Sequence, residues 1–248
     1  MLKVYLNKYQ NRMNRLKQLI DELNDMGIQP FIGYGNPDAN ILIVGKECGE
    51  EEKGRLEKFV TPNFHQWAES LSGHGFGYRS GVEPYDFEHG NFHPVNPFYK
   101  LVNKRQAVKR EVGRAPSTYY WYQRLVEKIR ARSVENYEKS DSIDFFKDCF
   151  ITELNDVCRF NDKDLSKEQR QEIKAHIEKR FDWMRRTNFF NQFKIVILAC
   201  GRYADAIKKD DLLKKELFGD AKVYYCNQLS RWDKKLDEEI IPDIIKHI

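Results

Sequence analysis

No stretch of this 248-residue chain approaches the roughly 20 consecutive apolar residues that a helix needs to cross a bilayer, which argues against a membrane-spanning protein. The opening residues, MLKVYLNKYQNRMNRLKQL, lack the continuous apolar core of a secretory signal, so a cytoplasmic location is the default expectation. Cysteine is scarce and scattered. Its five copies, at positions 48, 149, 158, 200 and 226, are odd in number and never form a C-x-x-C pair. Reduced thiols are therefore expected rather than disulfides, and the pattern speaks against a zinc site or an iron–sulfur cluster. His65, His74, His89 and His93 follow no zinc-binding spacing, so no metal and no cofactor is expected. There is also no internal repeat and no low-complexity segment, which excludes solenoids and long disordered linkers.

What remains is an ordinary globular composition, with 41% hydrophobic and 32% charged residues. The chain is long enough for one α/β domain with a large core, and a single domain over residues 1–248 is expected, as a monomer. Its net charge of +4 is unevenly spread. Ten basic residues (Lys100, Lys104, Arg105, Lys109, Arg110, Arg114, Arg124, Lys128, Arg130 and Arg132) face only Glu111 and Glu127 between positions 100 and 132, so the rest of the chain is net acidic. Tyr119-Tyr120-Trp121-Tyr122 interleaves with them, and basic charge with aromatic faces suits phosphate neutralisation and base stacking. The competing reading is a solvated helix face whose aromatics fill the core.

Hydrophobic periodicity gives alternating elements. Met13, Leu16, Ile20 and Leu23 mark an amphipathic helix within residues 1–29, stopped at Gly27. Apolar runs at 41–44, 150–152, 194–200 and 222–226 read as strands. Helices are expected near 117–131, at 166–186 behind the Ser166/Gln169 capping box, after Tyr203, and from Asp233 onward. Residues 60–97, rich in glycine, proline, histidine and aromatics, show little sustained period and read as an irregular insert. Strands alternating with helices imply a three-layer α/β sandwich with a central four-stranded parallel sheet flanked by helices. All strand ends then share one edge, where open α/β sheets bind ligands.

The densest local signal is Asn40-Ile41-Leu42-Ile43-Val44-Gly45-Lys46-Glu47-Cys48-Gly49, in which an all-apolar strand empties into a glycine-bounded loop bearing a carboxylate. Gly45 and Gly49 permit a tight backbone there, which brings Glu47 to the sheet edge. A simple chain-reversing turn is the alternative.

Preceded by Gly33-Tyr34-Gly35-Asn36-Pro37-Asp38-Ala39, this run resembles the first motif of the uracil-DNA glycosylase-like superfamily, in which a G-N/P-P-x-A-x-I-L-x-V-G-E-A-P-G pattern is followed three residues later by a glutamate. Glu52 falls on that last position. Further along, FITELNDVC at 150–158, VILACGRYADAI at 196–207 and NQLSRW at 227–232 are similar, in order and spacing, to later motifs of the family. The resemblance covers roughly residues 30–245. It implies that Glu47 orients the hydrolytic water, that Asn227 or Gln228 takes the place of the family's closing histidine beside the departing base, and that Ser230 and Arg231 are the next donors. It also implies a base-reading residue at Glu153 or Asn155, an aromatic from the insert (Phe64, Phe76 or Tyr78) stacked on the base, and Gly45, Cys48 and Gly49 against the substrate.

Departures from the family pattern have physical meaning. Cys48 stands where the family has proline. An amide at Asn227 or Gln228 still donates a hydrogen bond, and a carboxylate at Glu153 only accepts, which suits the paired N–H donors of a guanine-like edge better than uracil. The competing reading pairs Glu153 with a nearby basic residue. The resemblance thus points to a DNA-binding protein, on single or double strands, that hydrolyses the N-glycosidic bond of a damaged or deaminated base. The alternatives are a catalytically silent nucleic-acid or nucleotide-binding protein of the same fold, and a small-nucleotide hydrolase.

Overall fold

The computed structural model describes residues 15–46, 63–71, 117–140, 143–156, 165–229 and 232–248. Strand β1 (Tyr34–Gly35) is followed by β2 (Ile41–Gly45), β3 (Cys149–Glu153), β4 (Ile195–Ala199) and β5 (Lys222–Tyr225). The helices are α1 (15–25), α2 (Asn63–Leu71), α3 (Ser117–Arg130), α4 (Lys167–Arg186), α5 (Asp205–Lys209), α6 (Asp211–Phe218) and α7 (Ile241–His247). A π-helical turn at Leu236–Ile240 leads into α7.

Burial on both faces explains why β2, β3 and β4 are apolar without polar alternation. Because successive side chains point to opposite sides, Ile41 and Ile43 join one cluster while Leu42 and Val44 join the other. The first cluster is completed by α3, Phe145, Phe146 and the 236–244 segment, and the second by α1, α2, α4, Phe189, Phe190 and α6. The result is a sheet flanked by helices on both sides.

The sheet itself differs from expectation. It has five strands in the order β1-β3-β2-β4-β5, of which β3, β2, β4 and β5 run parallel and β1 pairs antiparallel with β3. The extra strand comes from Gly33-Tyr34-Gly35, two paired residues with no periodicity to read. A Cβ on Gly33 would lie 2.2 Å from the Ile151 carbonyl oxygen, and its φ of +135° is one that other residues rarely adopt, so glycine is what lets β1 approach β3. Tyr34 between the glycines is buried and accepts a 2.8 Å hydrogen bond from the Tyr119 hydroxyl.

A second correction falls in the insert, whose residues 63–71 form α2. Phe64 and Trp67, one turn apart, are its buried anchors. Its first residue, Asn63, is fully buried: Oδ1 accepts from the backbone N–H groups of Ile32 (2.9 Å) and Gly33 (3.1 Å), and Nδ2 donates to the Gly33 oxygen (2.8 Å). Trp67 Nε1 donates to that same oxygen at 2.8 Å. Thus α2 pins the loop that delivers β1.

Helix ends follow the local code. Ser166 and Gln169 form the reciprocal capping box of α4. Gly27, at φ +67°, ends α1 with its N–H bonded to the Asn24 oxygen and that of Ile28 to the Leu23 oxygen, a Schellman closure. Cys149, Cys200 and Cys226 are buried free thiols. Among the described residues no helix is long and apolar enough to cross a membrane.

Candidate functional site

The chain leaves β2 for β3 on one side and then crosses back to β4 on the other. Beyond the carboxyl ends of β2 and β4 the connections diverge, and that divergence opens a crevice in open α/β sheets. A cleft of about 890 Å³ lies there. Lys46 follows β2 onto its wall; Cys200, Gly201, Arg202 and Tyr203 follow β4; Asn227 and Gln228 follow β5. Trp232, Asp233 and Lys234, leading into the last helical segment, and Leu165 ahead of α4 complete it.

Backbone pairing continues past the strands and holds these residues. Leu154 N–H donates to the Gly45 oxygen (3.0 Å) and Asn155 N–H to the Lys46 oxygen (2.9 Å), while Gly201 N–H donates to the Cys226 oxygen at 3.3 Å. Lys46 Nζ lies 4.8 Å from the centre of the Tyr203 ring, a cation–π contact across the cleft. Asp233 Oδ2 accepts from both the backbone N–H (3.4 Å) and the side-chain amide (3.2 Å) of Asn227, and its Oδ1 accepts from the Lys235 N–H (3.0 Å) at the start of the helix. Burial, together with the charge of Asp233, pushes the Cys226 thiol up to about 12. Cys200 is raised further, by burial first and then by Cys226 and Glu153, so neither thiol is a ready nucleophile.

Three groups hold Trp232. Its Nε1 donates to Asp237 Oδ2 at 2.8 Å, Lys128 Nζ sits 4.7 Å from the indole centre, and the Trp121 ring packs at 5.4 Å. Lys128 also pairs with Asp237 at 2.6 Å, which balances the charge.

Among the residues expected from the sequence, Asn227 and Gln228 do lie on the cleft wall. Glu153 and Asn155 are buried beneath the strand ends and are not part of that wall. Glu153 stands opposite Gly45 in register, with its carboxylate folded over that glycine so closely that a Cβ there would be 2.0 Å from Oε2. Its charge adds to burial in holding the Tyr122 hydroxyl well above the usual tyrosine value. Phe64 is 2% exposed in the core between α2 and the sheet, so it does not reach the cleft. Glu47, Cys48, Gly49, Phe76, Tyr78, Ser230 and Arg231 lie outside the described residues.

The basic segment also needs correcting over its described part. Arg124 pairs with Glu127 (2.6 Å) and donates to the Ser140 oxygen (2.8 Å), and Lys128 is committed to Asp237. Arg130 pairs with Asp144 at 2.7 Å and with Asp148. Tyr119 and Tyr122 are core residues. These three cations serve the fold rather than an open polyanion surface, while Arg132, the fourth described cation of the segment, is exposed. Lys100, Lys104, Arg105, Lys109, Arg110 and Arg114 lie outside the described residues.

Sequence reading passed over Lys46, Arg202, Tyr203, Trp232 and Lys234. For Lys46, Arg202 and Tyr203 the signal was present, since each follows an apolar strand by a few residues, as Glu47 does, whereas Trp232 and Lys234 lie farther beyond β5. Compared with protein-family models, curated proteins and solved structures, the chain matches none.

Proposed function

We propose that the cleft receives one nucleotide unit of DNA, and that the chain is a divergent relative of uracil-DNA glycosylases hydrolysing the N-glycosidic bond of a damaged or deaminated base. The observation that carries this reading is the convergence of Lys46, Arg202 and Lys234 with two aromatic rings and two side-chain amides on one cleft at the switch point. Cations complement phosphate, rings complement the base plane, and amides complement its polar edge.

The reaction would begin with extrusion of the nucleotide into the cleft. Glu47, next in the chain after cleft-lining Lys46, orients a water toward C1′ as the sugar gains oxocarbenium character. The C1′–N bond breaks with its electron pair leaving on the base, and the water adds to C1′ and gives its proton to the Glu47 carboxylate. Gln228 is the better amide donor to the departing base, because the Asn227 amide already donates to Asp233.

The test is base release from oligonucleotides containing uracil, hypoxanthine or xanthine. Release is expected from at least one, and Glu47→Gln is expected to slow it by about 10²–10⁴-fold, the range for a lost general base. The engagement of Asn227 by Asp233 favours a second reading, a catalytically silent DNA-binding protein, which the same assay would reveal as binding without release. Neither binding nor release would defeat both.

A further inference from the structure

We infer that Trp232 is the stacking platform of the cleft, and that its ligand is a base carrying phosphate, presented as single-stranded nucleic acid. The inference rests on the nucleotide reading above and assigns the base-stacking role to the last residue of the NQLSRW run, for which the sequence suggested no role.

Two aromatic rings line the cleft, and they are not equivalent. Each carries a cation over its ring, Lys46 at 4.8 Å from the Tyr203 centre and Lys128 at 4.7 Å from that of Trp232. Trp232 is distinguished by how firmly it is fixed: Trp121 and Lys128, two turns apart on α3, both contact its ring, and Asp237 takes its N–H. Trp232 is half-buried and lines the cleft. An indole fixed at three points loses little conformational freedom when a ligand stacks on it, which is the condition under which an aromatic contributes most to binding. Arg202 and Lys234, both exposed and both lining the cleft, supply cations for the phosphates that flank a stacked base. Duplex DNA keeps its bases stacked on one another, so a platform of this kind favours single strands or extruded bases.

Tryptophan emission reads the contact directly. Of the four tryptophans, Trp67 and Trp183 are buried in the cluster on the far face of the sheet, leaving Trp121 and Trp232 near the cleft. The full chain is titrated with a short oligo-dT and, separately, with thymidine 5′-monophosphate. Emission is expected to be quenched by both in the wild type and in Trp121→Phe. In Trp232→Leu, with folding verified by circular dichroism, the quench should vanish and oligo-dT affinity fall about tenfold or more, with Trp232→Phe recovering most of it. Wild-type affinity in Trp232→Leu overturns the inference alone, as does loss of the quench in Trp121→Phe. Should Trp232→Leu fail to fold, the Trp121→Phe titration decides. If the wild type binds neither probe, the nucleotide reading and this inference fall together.

Discussion

Gly33 and Gly45 show how single residues place the strand ends. At Gly33 a side chain would run into the Ile151 backbone oxygen at 2.2 Å, and nothing in a β-ladder can retreat from that position. Gly33→Ala is expected to cost about 3 kcal/mol, combining a disfavoured φ with a backbone clash. Gly27 also has a positive φ, but nothing lies within 4 Å of a Cβ there. Gly27→Ala should therefore cost only about 1 kcal/mol, the left-handed penalty alone. Urea unfolding of the two variants gives the comparison, and equal losses would show that the β1–β3 approach contributes nothing. At Gly45 the nearest obstacle is the Glu153 carboxylate, so the glycine there seats a side chain rather than a backbone.

Among the elements, α3 carries the clearest lesson about what a sequence conceals. Its boundaries were legible, as were those of α4 and the four parallel strands, because apolar runs and caps are local signals. Its electrostatic role was not, because the partners are remote: Lys128 reaches Asp237, 109 residues away, and Arg130 reaches Asp144, 14 residues on. β1 and α2 escaped for the opposite reason, being only two and nine residues long, too short for a sustained period to emerge. The Arg130–Asp144 pair has a testable pH consequence. Burial works to raise the Asp144 carboxyl, but hydrogen bonds from Gln123 and Arg130 outweigh it and hold the group below its ordinary value of 3.8. A carboxylate depressed in the folded state binds its proton less readily than the unfolded chain does. Its stabilisation is thus complete above the ordinary value and fades as pH falls through the lowered folded one. Asp144→Asn should be less stable than wild type at neutral pH, and the gap in urea midpoint should narrow on acidification below about pH 4. A gap that stays constant from pH 6 to pH 3 would rule out an ionic role.

For the whole molecule, sheet order governs what the strand ends can do. Because β2 sits centrally with β3 on one side and β4 on the other, residues distant in sequence, from Lys46 to Lys234, share one cleft. The sequence showed that strand ends would gather at one edge, but strand order depends on which faces pack, and that information is spread across both core clusters. The cleft cations therefore differ in kind from those of α3. Arg202 and Lys234 stand on the cleft wall, whereas Arg130 is bound to Asp144 and Asp148. Each phosphate contact releases counterions, so the logarithm of a DNA-binding constant falls with log salt by about 0.7 per phosphate on single strands. Arg202→Gln and Lys234→Gln should each weaken oligo-dT binding and make that slope shallower by about this amount. Arg130→Gln should leave the slope at its wild-type value while lowering stability, because its charge is already neutralised within the protein. Binding titrations across a salt series measure all three variants, and a slope that changes with Arg130 but not with Arg202 or Lys234 would move the nucleic-acid surface from the cleft to α3.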